Sequence, residues 1–257
     1  MKFSILASGS EGNCAFVEDD NGAGVLIDVG LSMRRIGERL KEFDRDYNCI
    51  QAMLISHEHS DHLRGAAVIA RRQDLPIYAS EGTIATVKRH INNFTRFFSL
   101  NSETLEFGNL QVESFSVNHD ASETMGFLIV EGDKRLVIAT DLGIVDLATL
   151  NWMRDCDAIV LEANHDVSML LDGPYPWDLK QRIKGQHGHL SNEQAGEALA
   201  QIASPRLKRV VLAHLSQQNN DAKVALKSVK SHLKKAGHNH IDVIVAQQHC
   251  ATEMFEV

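Results

Sequence analysis

A histidine-rich hexapeptide, His57-Glu58-His59-Ser60-Asp61-His62, is the feature that most restricts what this chain can fold into. An apolar run predicts a strand over Ala52–Ser56 immediately before it, and a helical pattern follows over His62–Arg72. A peptide of this composition could by itself be a loop that caps a helix. The aspartate at its fifth position, between a strand and a helix, instead favours a metal site at the end of a strand, where α/β proteins commonly assemble functional groups.

Short apolar runs and helical patterns alternate along the rest of the chain. Strands are predicted at Lys2–Ala7, Ala15–Glu18, Gly24–Asp28, Ala52–Ser56, Pro76–Ala79, Leu110–Val117, Gly126–Glu131, Arg135–Thr140, Ala158–Glu162, Arg209–Ala213 and Ile241–Ala246. Helices are predicted at Met33–Glu42, His62–Arg72, Gly82–His90, Asp146–Arg154, Asn192–Ile202 and Asp221–Ala236. The strands are rich in Val, Ile and Leu, as expected where helices cover a sheet. This order predicts an α/β fold and is compatible with two mixed sheets packed face to face, with helices outside.

The length and composition fit one large domain. The chain has 257 residues, of which 44% are apolar and 23% charged, so it can bury a sizeable core and needs no disulfide staples. We therefore expect a single domain over residues 1–257.

The four cysteines, Cys14, Cys49, Cys156 and Cys250, form no CxxC pair, which predicts buried or half-buried reduced thiols and a cytoplasmic location. No apolar run approaches the length of a membrane span.

Further histidine and aspartate residues follow other predicted strands. They are His119 after Leu110–Val117, Asp141 after Arg135–Thr140 and His214 after Arg209–Ala213. Strand ends can face one crevice, so these side chains could meet the hexapeptide despite their distance along the chain. Imidazole and carboxylate ligands suit Zn²⁺, Mn²⁺ and Fe, and a carboxylate such as Asp141 can bridge two ions. The pattern thus predicts a cleft that binds divalent metal.

The motifs, taken in their order along the chain, resemble those of the metallo-β-lactamase superfamily. The elements that carry the resemblance are HxHxDH at residues 57–62, His119, Thr140-Asp141-Leu142-Gly143, Ala213-His214-Leu215-Ser216 and the early Ile27-Asp28-Val29-Gly30. The similarity covers essentially the whole chain and is strongest to the YycJ-like (WalJ-like) branch. Four segments are similar to landmarks of that branch. They are Ser8-Gly9-Ser10-Glu11-Gly12-Asn13, Glu162-Ala163-Asn164-His165-Asp166, Gly173-Pro174-Tyr175-Pro176 and Gly188-His189-Leu190-Ser191-Asn192.

The resemblance implies a four-layer αββα sandwich with two divalent metal ions, Zn or Mn, with Fe as a further option. The implied ligands are His57, His59 and His119 on one ion, Asp61, His62 and His214 on the other, and Asp141 between them. Flavodiiron oxygen reductases carry Glu at the position of His59, so redox chemistry is disfavoured. A histidine at the position of His62 is typical of the binuclear hydrolases, which include tRNase Z, related phosphodiesterases, glyoxalase II and lactonases.

Two further segments resemble tRNase Z and favour phosphodiester cleavage. Leu161-Glu162-Ala163 resembles a segment that supplies a Glu there, and His189-Leu190-Ser191 resembles a His-Ser-Thr element. In such enzymes this Glu and His form a dyad near the leaving group. We therefore predict a metal-bridging hydroxide oriented by Asp61 and Asp141, with His189 as the general acid and Glu162 as its partner. The alternatives are that His189 is a helix-turn histidine and that Glu162 is a plain strand-end carboxylate.

Candidate substrate contacts lie near these two segments. Lys180, Arg182 and Lys184 could form a phosphate-contacting lip, or only a solvated helix face. His165 could line the cleft and contact substrate. His187 and His249 are predicted to be structural or merely adjacent to the cleft. The histidines predicted to be solvated are His90, His232, His238 and His240.

The formal net charge of −8 argues against a globally basic nucleic-acid binder, although bound ions and local basic patches matter more at a site. The YycJ-like branch implies 5′-to-3′ exonuclease activity, so the predicted partner is nucleic acid, DNA in particular, and no membrane. The alternative is a thioester or lactone hydrolase of the glyoxalase II type. It is disfavoured because such an enzyme is expected to have a C-terminal helical domain, whereas the stretch after His214 is short and includes a predicted strand. A metal-binding regulator without activity is a third option. The oligomeric state stays open.

Overall fold

The structure is a computed structural model that describes residues 1–89, 94, 96–101 and 103–257. Its strands are β1 (Lys2–Ala7), β2 (Cys14–Glu18), β3 (Gly24–Ile27), β4 (Ile50–Leu54), β5 (Ile77–Ala79), β6 (Phe97–Ser99), β7 (Leu105–Phe107), β8 (Leu110–Val117), β9 (Thr124–Glu131), β10 (Lys134–Ala139), β11 (Ala158–Glu162), β12 (Arg209–Ala213), β13 (Asp242–Val245) and β14 (Phe255–Glu256). Its helices are α1 (Met33–Lys41), α2 (Ser60–Leu63), α3 (Ala66–Gln73), α4 (Glu81–Lys88), α5 (Leu147–Met153), α6 (Val167–Asp172), α7 (Trp177–Lys184), α8 (Asn192–Ile202) and α9 (Ala222–Lys235), and a 3-10 turn spans Tyr47–Cys49.

The strands form two sheets with related topologies, although the sequence shows no internal repeat. The first sheet has the order β14-β1-β2-β3-β4-β5-β6, and the second has the order β13-β12-β11-β10-β9-β8-β7. In the first sheet the antiparallel strands β1 to β3 lead into parallel strands β4 to β6. In the second, antiparallel β7 to β10 lead into parallel β11 to β13. Parallel strands end at the same edge of a sheet, so residues that follow them can assemble one site.

Successive side chains of a strand point to opposite faces of its sheet, and their burial shows that the two sheets pack against each other with helices on the outer faces. In β3, Val25 and Ile27 belong to the buried cluster between the sheets, and Leu26 belongs to the cluster beneath α1, α3 and α4. In β10, Leu136 lies in the central cluster, whereas Val137 lies beneath α5, α8 and α9. Both faces of each sheet are therefore covered, as the apolar strand sequences require. The result is the predicted four-layer αββα sandwich.

The helix predicted over His62–Arg72 is divided in the structure, because Gly65 separates α2 from α3. The Gly65 amide donates a hydrogen bond to the carbonyl of Val29 at 2.8 Å. A Cβ atom at Gly65 would collide with the carbonyl oxygens of Leu31 and Val29. Glycine permits this close approach, which seats the hexapeptide against the loop that follows β3.

Among the described residues, the predicted strands and helices do not include the 3-10 turn or the short elements β6, β7, β14, α6 and α7. None of them exceeds eight residues, which is too short for a clear hydrophobic period. The predicted helix Gly82–His90 corresponds to α4. Its last residue, His90, lies outside the described residues, and so does the prediction that His90 is solvated.

All four cysteines are free thiols. Cys14 and Cys156 are buried and Cys49 is half-buried, as predicted, but Cys250 is exposed, so the prediction is wrong there. Cys250 belongs to the loop between β13 and β14 and not to a packed strand. Within the described ranges, every helix is too short or too polar to cross a bilayer.

Candidate metal centre and active site

Three histidines bring ring nitrogens close together. Ligand atoms of His57, His59 and His119 all lie within 4.8 Å of one another. The Nε2 atoms of His57 and His119 are buried and lack a hydrogen-bond partner among the described residues. Leaving such a group unpaired costs about 1–3 kcal/mol. Burial lowers the pKa of His57 well below its ordinary value, which favours the neutral ring that binds metal. These orphaned nitrogens fit a divalent cation.

A second group adjoins the first. The Oδ2 atom of Asp61 lies 3.4 Å from His62 Nε2 and 3.4 Å from His214 Nε2. Asp141 lies between the two groups, because its ligand atom lies within 4.8 Å of those of His57 and His62. Burial would lower the pKa of His214, but the charges of Asp141 and Glu162 and a hydrogen bond to Asp61 raise it to about 10. This cluster therefore attracts positive charge, which a bound metal ion would supply in place of a proton.

Unusual backbone conformations direct three of the buried side chains. Asp28, Asp141 and His214 follow the ends of β3, β10 and β12, and their φ angles are +56°, +59° and +56°. A positive φ is uncommon for a residue with a side chain, and it costs on the order of 1–3 kcal/mol where the surrounding structure imposes it. Such strain is typical of functional sites, and here it turns the chain sharply where each strand enters the cleft.

Hydrogen bonds behind the cluster fix the orientation of each ring. His62 Nδ1 lies 2.7 Å from Asp28 Oδ2, and His119 Nδ1 lies 3.0 Å from the carbonyl of Gly188. His57 Nδ1 lies 3.0 Å from the hydroxyl of Ser56. In all three residues the Nε2 atom is left to face the cluster. Metal-binding histidines are usually held in this way through their other nitrogen.

Glu162 connects the cluster to His189. Its Oε1 atom lies 2.7 Å from His189 Nδ1 and 2.9 Å from His214 Nδ1. Its Oε2 atom accepts hydrogen bonds from the amides of Leu142 and Leu190 at 3.1 and 3.2 Å. Burial would raise the pKa of Glu162, but the charge and hydrogen bond of His189 and the hydrogen bond from His214 lower it to about 2. A carboxylate with this many donors is suited to orienting its neighbours rather than to binding an ion itself.

The position and the environment of His189 favour its protonated form. It lines the cleft and is half-buried. Burial would lower the pKa of His189, but the charge and hydrogen bond of Glu162 and the charge of Asp141 raise it above the ordinary value. The protonated ring is therefore favoured more than in a free histidine, and protonation is the state that a general acid requires.

The cleft in front of these groups has a volume of about 280 Å³. Its described lining includes His59, Asp61, His119, Asp141, His189 and His214 of the predicted site, and also Ser10, Asp120, Asn164, Tyr175, Leu179, Arg182, Ile183, Gly188, Leu215 and Ser216. Helix α7 and the segment before it form one wall through Tyr175, Leu179 and Arg182. The volume is small, so it suits a phosphate group and part of one nucleotide or a similar small ester.

The structure separates the four predicted substrate contacts. Arg182 lines the cleft and pairs with Asp120, whereas Lys180 and Lys184 are not among the described lining residues. Lys180 and Lys184 are one helical turn apart in α7 and share a face, and Arg182 lies on the opposite side of that helix. The three cations therefore do not form one continuous lip.

His165 also lies away from the cleft surface. It is 1% exposed and pairs its backbone with Ser191 at the start of α8. Burial lowers the pKa of His165 to about 4, so its ring is neutral. The sequence pattern could not distinguish this buried position from a cleft position, because Asn164 beside it does line the cleft.

Some residues of the site were not predicted as functional. Asp28 and Asn13 occur only as parts of landmark motifs in the sequence, yet Asn13 Nδ2 lies 3.2 Å from Asp61 Oδ2 and 3.0 Å from His62 Nε2. The sequence carries no separate signal for Asp120, although this residue directly follows His119. For Asp28, the motif Ile27-Asp28-Val29-Gly30 is the available signal.

The sequence matches the family model described as the beta-lactamase superfamily domain over residues 24–215, which is most of the chain. The chain belongs to the beta-lactamase superfamily. The matched region contains every predicted metal ligand, from His57 to His214. It also contains Glu162 and His189.

Two relatives place this superfamily member in a narrower branch. Exodeoxyribonuclease YycJ of Bacillus anthracis is 38% identical over 240 residues, which cover 92% of this chain and 90% of that protein. Exodeoxyribonuclease WalJ of Streptococcus pneumoniae serotype 2 is 37% identical over 241 residues, which cover 92% of this chain and 89% of that protein. Identity at this level over nearly the whole length confirms the predicted resemblance to the YycJ-like (WalJ-like) branch.

A solved structure has the same fold. The metallo-beta-lactamase fold protein YhfI from Bacillus subtilis superposes with a TM-score of 0.72 at 14% identity, over 98% of this chain and 99% of that one. This likeness concerns the fold alone, and it confirms the predicted metallo-β-lactamase sandwich. Together, the superfamily, the relatives and the ligand clusters identify the chain as a metal-dependent hydrolase that binds divalent metal.

Proposed function

We propose that this superfamily member is a phosphodiesterase that uses two divalent ions to degrade nucleic acid, specifically DNA from a 5′ end. The observation that carries the proposal is the position of Glu162, whose Oε1 atom lies within 2.9 Å of both His189 Nδ1 and His214 Nδ1. One carboxylate thus orients both a candidate metal ligand and a candidate proton donor. Such a donor is useful for expelling a poor leaving group such as the alkoxide of a phosphodiester.

The proposed ligands follow the two groups of side chains. His57, His59 and His119 would hold one ion, Asp61, His62 and His214 the other, and Asp141 would lie between them. Imidazole and carboxylate ligands favour Zn²⁺ or Mn²⁺, and Fe is compatible with the same set. Two ions bound there would lower the pKa of a coordinated water and neutralise the charge of a phosphate.

The chain's own residues would do the remaining work. Asp61 is held by Asn13, and we propose that it orients the attacking water together with Asp141. Burial would raise the pKa of Asp61, but hydrogen bonds with His214 and His62 lower it, so it stays ionised and can accept a hydrogen bond from that water. His189 would donate its proton to the departing oxygen, and Glu162 would keep its ring oriented. Asp61, Glu162 and His189 are thus the proposed catalytic group.

The choice of DNA rests on the two exodeoxyribonuclease relatives and on local charge. Among the described lining residues, Arg182 is the one lysine or arginine, and we propose that it contacts a phosphate by exchanging its bond to Asp120. Lys180 and Lys184 would contact phosphates farther from the reacting one. His165 would act indirectly, by packing beneath the start of α8 near His189. Since the net charge is −8, attraction to DNA must be local and we expect modest affinity.

An activity panel on the metal-loaded protein tests the proposal. Labelled DNA, labelled RNA, bis(p-nitrophenyl) phosphate, S-lactoylglutathione and a lactone would be offered separately, with DNA labelled at either end. We expect release of nucleotides from 5′-labelled DNA and slower hydrolysis of the small diester. Rapid cleavage of the thioester or lactone, with DNA and RNA left intact, would contradict the nuclease assignment. It would leave the hydrolase assignment in place.

A further inference from the structure

A second cavity lies outside the active-site cleft, between α1, α3 and the 3-10 turn. We call it the α1–α3 groove, and its volume is about 660 Å³. It is lined by Ser32, Met33, Arg34, Gly37, Glu38, Lys41, Asp46, Tyr47, Arg64, Gly65, Val68 and Arg72. Residues spaced by three or four positions on each helix supply this lining, so the groove runs along one face of α1 and one face of α3.

Part of the wall is apolar and reachable from solvent. Val68 is 40% exposed, and Met33 and Tyr47 are half-buried. The Tyr47 hydroxyl donates to the carbonyl of Met33 at 2.7 Å, so its polar end is satisfied and the ring presents apolar surface. Gly37 adds no side chain to this wall, and a Cβ atom there would lie 3.3 Å from the Tyr47 ring. This wall can accept an apolar side chain but offers few free polar groups to a polar one.

The rim of the groove is basic. Arg34, Lys41, Arg64 and Arg72 are all exposed there. Among the described residues, Lys41 and Arg72 form no salt bridge, and Arg64 donates only to the carbonyl of Glu11, at 3.1 Å.

The two acidic residues of the lining are already engaged. Glu38 pairs with Arg34 at 3.1 Å. Asp46 accepts hydrogen bonds from the amide and the side chain of Asn48 at 2.8 and 3.1 Å. Asp46 keeps its charge, because Asn48 is neutral, but the four cations of the lining outnumber its two carboxylates, so the rim is positive on a chain whose net charge is −8.

We propose that the α1–α3 groove binds an acidic peptide segment of another protein, with one apolar or aromatic side chain inserted between Val68 and Tyr47. Carboxylates of the peptide would meet Lys41, Arg64 and Arg72. An apolar anchor surrounded by complementary charge is a common arrangement at protein interfaces. The negative charge of the rest of the chain repels such a peptide, which directs it to this groove.

A nucleic acid fits the groove less well. Its phosphates could meet the basic rim, but they would leave the apolar wall without a partner. A base inserted against Tyr47 would lose water from its polar edges, and the Tyr47 hydroxyl is already used by Met33. Burying those edges unpaired is unfavourable. An acidic peptide with an apolar side chain satisfies both parts of the groove.

The groove adjoins the active site without belonging to it. Arg64 contacts the carbonyl of Glu11, and the neighbouring Ser10 lines the active-site cleft. A peptide held in the groove would therefore lie beside the cleft and leave it open.

Fluorescence anisotropy with labelled synthetic peptides tests the proposal. The probe has five aspartates followed by phenylalanine, and two comparison peptides replace either the phenylalanine by alanine or the aspartates by asparagine. A phosphorothioate oligothymidine serves as the nucleic-acid probe. We expect the first peptide to bind, and both comparison peptides to bind at least about tenfold more weakly, because each lacks one half of the interaction.

Variants of the metal-loaded protein locate the binding. Arg72→Glu and Val68→Asn should each weaken the acidic phenylalanine peptide by about tenfold or more. Arg71→Glu is the matched control, because Arg71 is an exposed neighbour in α3 outside the described lining, and it should change binding less than twofold. All three variants should hydrolyse bis(p-nitrophenyl) phosphate as the parent protein does, which shows that they are folded.

Three results would overturn the proposal. The first is equal binding of the peptides with and without phenylalanine. The second is equal loss of binding in Arg71→Glu and Arg72→Glu, which would indicate unspecific attraction. The third is binding of the oligothymidine alone, lost in Arg72→Glu, which would make the groove a nucleic-acid site. A parent protein without hydrolytic activity would contradict the proposed function and leave the peptide measurements interpretable.

Discussion

The Oε1 atom of Glu162 lies 2.7 Å from the Nδ1 atom of His189. The contact fixes which nitrogen of His189 faces Glu162, and so leaves Nε2 as the atom that can exchange a proton with a substrate in the cleft. Because Glu162 also contacts His214, any loss of its carboxylate should disturb both proton transfer and metal binding. The two effects can be separated by measuring turnover and metal content on the same preparations.

His189→Ala tests the general acid. We expect turnover to fall by about 10² to 10⁴ for a substrate with a poor leaving group, and much less for bis(p-nitrophenyl) phosphate, whose p-nitrophenolate needs no proton. His187→Ala is the matched control, because His187 is exposed and only two residues away. Equal losses on both substrates would assign His189 another role.

Glu162→Gln tests the electrostatic support of His189. The charge of Glu162 helps to raise the pKa of His189 against the effect of burial, and a general acid is lost as pH rises through its pKa. Removing the charge should therefore shift the alkaline limb of the pH–rate profile to lower pH. Both proteins are compared at metal concentrations that give full occupancy, with metal content measured on each, because the substitution is also expected to weaken metal binding. An unshifted limb at full metal content would contradict the expected coupling.

The double variant His57→Ala/His59→Ala tests the metal assignment. Both residues belong to the first ligand group, so we expect loss of most bound metal from one site and collapse of activity. Elemental analysis after dialysis measures the metal, and near two ions per parent chain is the expected value. His238→Ala/His240→Ala removes two histidines outside both groups and should retain full metal. Retention of both ions in the first double variant would contradict the assignment.

Asp28→Asn tests a residue that orients the proposed metal ligand His62 through a hydrogen bond. Asp28 Oδ2 lies 2.7 Å from His62 Nδ1, and loss of such a partner typically weakens metal affinity by about 10- to 100-fold. Competition with a chelator measures the change. Asp20→Asn, an exposed aspartate outside the site, should leave affinity unchanged. Identical chelator curves for Asp28→Asn and the parent would show that the contact does not support metal binding.

The basic residues of α7 allow a test of DNA contacts. Each phosphate contact contributes about 0.9 to the slope of log affinity against log salt on duplex DNA. Arg182→Ala should reduce that slope and lower kcat/KM on DNA more than Lys180→Ala/Lys184→Ala does, because Arg182 lines the cleft. Lys230→Ala/Lys234→Ala on the exposed side of α9 is the control. If the triple variant at 180, 182 and 184 degrades DNA like the parent at all salt concentrations, this surface is only solvated.

Much of the fold could be predicted from local pattern. β1, β8, β11, β12 and α8 have the predicted bounds, since each is a strongly apolar or clearly capped segment. The division between α2 and α3 could not be predicted, because it depends on a contact between Gly65 and a loop more than thirty residues earlier. The extent of residues 1–257 as a single domain stays a prediction, and so does the cytoplasmic location.

The site could be predicted in its residue types but not in all its contacts. The hexapeptide and the strand-end residues contain the candidate ligands because parallel strands end together. The contact of Glu162 with His214 depends on the register of β11 and β12, in which Glu162 lies opposite Ala213. The positions of Arg182 and Lys184 depend on how α7 is rotated, which a short polar helix does not reveal.

Neither half of the chain contains a complete set of proposed ligands. His57, His59, Asp61 and His62 extend from the first sheet, and His119, Asp141 and His214 extend from the second. Each ion would then be bound by residues of both sheets and would crosslink the two sheets at the edge of the sandwich. Two separately produced halves of the protein should for this reason reassemble more tightly with divalent metal than with a chelator. The proposed metal ligands would in that case also stabilise the packing of the two sheets against each other.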